Sequence, residues 1–129
     1  MTKAARARKG LRAGVDRSTR RLDRAVTAAT DPRTPPAEPA AAVHAARKAG
    51  KRLRYATEVA GTKPRHLKAF QKALGEHQDT VVSRAALREL GAAAHATGEN
   101  GFSFGILLGL DAARAEQIER ELPRLWARR

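Results

Sequence analysis

At 129 residues the chain is long enough to bury a core as one domain, but its 42% hydrophobic content is largely alanine and only 4% of it is aromatic. With 26 basic and 13 acidic residues the net charge is +13, which attracts polyanions: nucleic acid, an anionic membrane face or a phosphate polymer. The absence of cysteine excludes disulfides and thiolate metal sites. The longest apolar run, residues 102–110, is far short of the ~20 residues that span a bilayer. No apolar segment follows the basic N-terminus, so no secretory signal is expected and the cytoplasm is the default location.

Lys3 to Ala29 reads as a long helix, with Leu11, Val15, Ser18, Leu22, Ala25, Val26 and Ala29 recurring every three or four residues. Gly10 and Gly14 weaken it by about 1 kcal/mol each, so the first ten residues are expected to fray. Arg17, Arg20, Arg21 and Arg24 share a second face. Four prolines between Asp31 and Pro39 (Pro32, Pro35, Pro36 and Pro39) break the helix. The helices on either side are too thin to stand alone, so this is a loop within a single domain over residues 1–129.

A second helix starts at Glu38 or Pro39, where proline suits the first turn, and runs to about Ala60 with Gly61 as its C-terminal cap. Its middle, His44 to Tyr55, reads HAARKAGKRLRY. Five of these twelve residues are cations and none is acidic. At about 100° per residue His44, Arg47, Lys48, Lys51 and Tyr55 fall within one arc, with Arg52 and Arg54 at its edges. The opposite side carries Ala42, Ala45, Ala46, Ala49, Leu53, Ala56 and Ala60. Like charges one turn apart repel by a few tenths of a kcal/mol, roughly, per pair. A helix that accumulates them either has an anion to meet or is a solvated face of an arginine-rich protein. Glu58, at the edge of the arc, is placed to orient a cation.

Thr62-Lys63-Pro64 restarts the chain. A third helix follows from about Arg65 to Ala96, with Leu67, Phe70, Leu74, Val81 and Ala85 on its buried side and Gln71 and Gln78 close to it. Lys68 and Lys72 stand one turn apart, and Asp79 is a candidate partner for either. Gly98 to Gly101 is a turn. A fourth helix runs from about Phe102 to Arg128, with Leu107, Leu110, Ile118, Leu122, Leu125 and Trp126 towards the core and a bend at Pro123. No stretch alternates as a strand does. The expected fold is all-α: an antiparallel four-helix bundle.

Catalysis has little to stand on, because the sequence has no cysteine nucleophile, phosphate-binding glycine loop or paired carboxylate motif. The four histidines, His44, His66, His77 and His95, lack metal-ligand spacing, so neither metal nor cofactor is expected. His44 is better suited to donating a hydrogen bond to an anion. Nucleic acid is a weaker partner than charge alone suggests, since one Trp, one Tyr and three Phe give few stacking platforms. Membrane binding is weaker still, because the apolar faces are alanine-rich and needed for the core. An acidic protein partner would also satisfy a basic face.

The run HAARKAGKRLRYATE at 44–58, followed by LKAFQKALGEHQD at 67–79, resembles the CHAD domain, the conserved histidine α-helical domain. The FSFGILLG segment at 102–109 is similar in character. The resemblance implies an all-helical fold that binds inorganic polyphosphate, in some members at polyphosphate granules. It implies binding through His44, Arg47, Lys48, Lys51, Arg52, Arg54 and Tyr55. Helix geometry adds Arg17, Arg20, Arg21, Arg24, Lys68 and Lys72 as a secondary set. A typical member of that family has two such repeats about a pseudo-twofold, with a basic channel between them. This chain holds one repeat, similar to the C-terminal one. The missing second repeat, or a homodimer with a true twofold, would supply the other side of the channel.

Overall fold

The computed structural model describes residues 1–62 and 65–127. Four helices follow one another: α1 (Lys3–Thr30), α2 (Pro39–Ala60), α3 (Arg65–Ala96) and α4 (Phe102–Ala127). Helix α1 packs on α2, α2 on α3, α3 on α4 and α4 back on α1, which closes an antiparallel four-helix bundle. No strand occurs among the described residues. The restart at Lys63-Pro64 and the expected end of the fourth helix at Arg128 lie outside them.

Local chemistry sets the helix ends. The Thr2 hydroxyl accepts from the Ala5 amide at 3.1 Å and caps α1, so the helix is formed from Lys3. Pro39 occupies the first turn of α2. Gly61 ends α2 in the left-handed region at φ 76°, and the Thr62 amide reaches the Thr57 carbonyl at 2.9 Å. Gly98, at φ 77°, repeats that ending after α3, and the Asn100 side chain then accepts from the Phe102 amide at 2.9 Å to start α4.

The core is built where all four helices overlap. Leu22, Val43, Phe70, Leu74, Ile118 and Leu122 are its largest fully buried apolar side chains. Trp126 is buried beside them, with the Phe70 ring tilted against it at 5.2 Å between centroids and its indole N–H donating to the Asp23 carboxylate. Alanines at 46, 49 and 73 let the backbones approach.

The two hairpins are staggered along the bundle axis. At 1.5 Å per residue α3 is about 48 Å long and α2 about 33 Å. The main core cluster takes nothing from residues 75–117 among those described. The upper part of the α3–α4 hairpin therefore overhangs the Asp31–Glu38 loop. Here three expectations fail. Leu107 is 49% exposed and Leu110 63% exposed, and Ala85 is also exposed. Each sits at core spacing, but α1 and α2 do not reach its height.

Candidate functional site

The basic face of α2 takes its form from its back. Ala46, Ala49 and Leu53 are buried, which turns Lys48, Lys51 and Tyr55 outward. On the α3 side, Gly50 removes the side chain that would hold the helices apart. A Cβ there would stand 3.6 Å from the Leu74 Cδ1 atom. The bare Gly50 carbonyl accepts a hydrogen bond from the Gln71 Nε2 at 2.9 Å. This contact seats the cationic helix directly on α3.

The result is a cleft of about 140 Å³ lined by Arg47, Lys51 and Arg54 from α2 and by Gln71, Leu74 and Gly75 from α3. No carboxylate lines it. Arg47 is half-buried, while Lys51 and Arg54 are exposed. Two neighbours hold Arg54. Its Nε lies 3.7 Å from Glu58 Oε1, and its guanidinium sits 5.2 Å from the centre of the Tyr55 ring. Glu58 thus orients a cation, as its position at the edge of the arc predicts. Among the described residues Arg47, Lys48, Lys51 and Arg52 have no carboxylate partner.

The remaining expected residues distribute around this cleft. Lys48, Arg52 and Tyr55 are exposed on the outer face of α2, outside its lining. His44 is half-buried at the head of the row, and its Nδ1 is buried without a hydrogen-bond partner. Lys68, Lys72 and Gly75 succeed one another at steps of four and three, so both lysines stand on the α3 rim of the cleft. Asp79 pairs with neither, because two turns of helix separate it from Lys72. Arg17, Arg20, Arg21 and Arg24 are all exposed on α1 and do not enter the cleft. Counting back from the Asp31–Glu38 loop puts Arg21 roughly level with Lys48 and Arg17 roughly level with Arg52. The two rows therefore stand at the same height on adjacent helices.

Sequence reasoning missed two residues that shape the site. Gln71 lies close to the apolar side of its helix, and only the pairing of α2 with α3 reveals its bond to Gly50. His77, without metal spacing, is buried at 1% exposure with its Nε2 2.9 Å from Glu119 Oε1, which ties α3 to α4 beneath the cleft. Its place after Phe70 and Leu74 at helical spacing was the available signal. Among the described residues no group of three potential ligands could hold a metal ion, and no helix is long and apolar enough to cross a membrane.

Comparison with known proteins matches this arrangement to a family. The model of the CHAD domain matches residues 2–88, which include the whole of α1 and α2 and most of α3. Two uncharacterized proteins of Mycobacterium tuberculosis, one from strain CDC 1551 / Oshkosh and one from strain ATCC 25618 / H37Rv, are each 40% identical over 83 residues. That stretch covers 63% of this chain and 16% of each relative. No solved structure matches the chain. The chain belongs to the CHAD domain family.

Proposed function

We propose that this protein binds inorganic polyphosphate without catalysing its turnover. The observation that carries the reading is the α2–α3 cleft, where Arg47, Lys51 and Arg54 converge with Gln71 and no carboxylate enters. A flexible polymer with one charge per phosphate needs a dense row of cations more than a shaped pocket. Lys48 and Arg52 continue the row on α2, Lys68 and Lys72 flank it on α3, and Arg17, Arg20, Arg21 and Arg24 extend it across α1. His44 stands half-buried at the head of the row. Each phosphate neutralised releases counterions, so affinity falls steeply with salt. Family membership supports the same ligand, and association with polyphosphate granules in the cytoplasm would follow from it. A homodimer would offer two such rows to one polymer.

Competition binding tests this reading. Long-chain polyphosphate is expected to bind and to resist displacement by single-stranded or duplex DNA at equal phosphate concentration and moderate salt. Lys48→Glu with Lys51→Glu is expected to abolish binding while leaving the helical circular dichroism intact. Displacement by DNA would make the face a nucleic-acid site. Unchanged binding in the double variant would leave an acidic protein as the partner of this face. Incubation with polyphosphate is expected to release no phosphate.

A further inference from the structure

The α3–α4 overhang carries an apolar surface that the bundle does not use. The segment Phe102–Leu110 reads FSFGILLGL and contains no charge. A helix that is apolar all round belongs in an interior, yet Phe102, Ile106, Leu107 and Leu110 are exposed. The ion pair between Arg114 and Glu76 shows which side of the hairpin these residues occupy. Steps of four and three back along α4 lead from Arg114 to Leu110 and Leu107. Steps of seven along α3 lead from Glu76 to Ser83 and Leu90, with Ala86, Val82 and Ala93 beside them. Leu90, Leu107 and Leu110 thus share one flank of the hairpin, with Val82 at its edge on α3, each between 49% and 63% exposed.

We infer that this flank is a self-association face, and that its occupant is the same flank of a second copy packed about a twofold axis. Charge points to a second copy. Residues 82–113 hold two cations and three acids, so this quarter of the chain is formally −1 while the rest carries +14. Two copies of a +13 chain repel almost everywhere else, and contact at the overhang keeps their cationic halves apart. The patch is small: four large side chains, each about half to two-thirds exposed, with Ala86 and Ala93 between them and Ile106 alongside, give less than the ~800 Å² per partner of a standard interface, the size of a weak, concentration-dependent contact. Two antiparallel hairpins meeting in this way cover each other's apolar flank, and the contact is isologous, so it closes at a dimer.

This geometry sets the two α2–α3 clefts towards opposite ends of the dimer rather than across one channel. The self-association stands whether or not the cleft binds polyphosphate. If it does, a polymer long enough to reach both clefts gains avidity over a short one.

Sedimentation velocity over a protein concentration series tests the contact. The wild-type chain is expected to pass from monomer to dimer. Leu90→Glu with Leu107→Glu is expected to weaken dimerisation at least ~tenfold while Lys48→Glu with Lys51→Glu leaves it unchanged. The chain has no cysteine, so Leu107→Cys gives a single thiol that is expected to form a disulfide-linked dimer under mild oxidation. Should the double glutamate variant lose its helicity, Leu110→Lys, at the most exposed of the four positions, is read for the same weakening. A wild-type chain that stays monomeric at every concentration overturns the inference and leaves the face to a segment of a longer protein. So does a dimer that survives the charge substitutions at the overhang.

Discussion

Gly50 decides how the basic helix sits, and it does so through space rather than through backbone flexibility. In sequence it is only a weak point inside a helix. In the folded chain the nearest neighbours of a Cβ there are Leu74 at 3.6 Å and Gln71 at 3.8 Å, an ordinary van der Waals fit. Alanine therefore adds helix propensity without displacing α3, while a longer side chain must push α3 away. Gly50→Ala is expected to raise stability by up to about 1 kcal/mol. Gly50→Leu is expected to cost ~1–3 kcal/mol through overpacking and to widen the cleft. Urea denaturation reads the stability of both, and equal destabilisation by the two variants would mean that the backbones cannot separate at all. Polyphosphate affinity should follow the same order, because Arg47, Lys51 and Arg54 ride on the helix that Gly50 seats.

At the scale of elements, periodicity and capping chemistry were enough to place the four helices. Gly61, Gly98 and the proline-rich loop marked their ends in the sequence as they do in the structure. The cationic row on α2 was equally legible, since its spacing and lack of acids are properties of one helix. What one helix cannot reveal is how far its neighbours extend. Leu107 and Leu122 stand on the same side of a helical wheel of α4, with Leu110 at its edge, but only Leu122, at 1% exposure, has the rest of the bundle opposite it. Leu122→Ala is accordingly expected to cost ~2–5 kcal/mol. Leu110→Ser should stay within about 0.5 kcal/mol in dilute, monomeric protein. Chemical denaturation of the two variants checks the stagger directly, and a large loss at Leu110 would place the overhang in the core. The convergence of Arg47, Lys51 and Arg54 with Gln71 was hidden for the same reason, because it depends on the register between two helices.

At the scale of the whole molecule, the question is whether polyphosphate recognises a folded surface or only a cationic chain. A net charge of +13 exerts self-repulsion in the compact state, and any polyanion relieves part of it. The unfolded chain carries the same 26 cations and also attracts polyanions. Binding to the native state alone would stabilise it by about 2.7 kcal/mol at a ligand concentration one hundred times Kd, and any affinity for the unfolded chain reduces that gain. The two sources of attraction therefore separate in a thermal melt. The folded rows hold cations one helical turn apart on α1, α2 and α3, a density that an expanded chain does not keep. Polyphosphate is expected to raise Tm in proportion to the logarithm of its concentration above Kd. The rise should vanish in Lys48→Glu with Lys51→Glu, although only two of the 26 cations are changed. A Tm that stays level or falls in the wild-type chain would mean that the polymer prefers the unfolded state, and that charge without the bundle's geometry accounts for the binding.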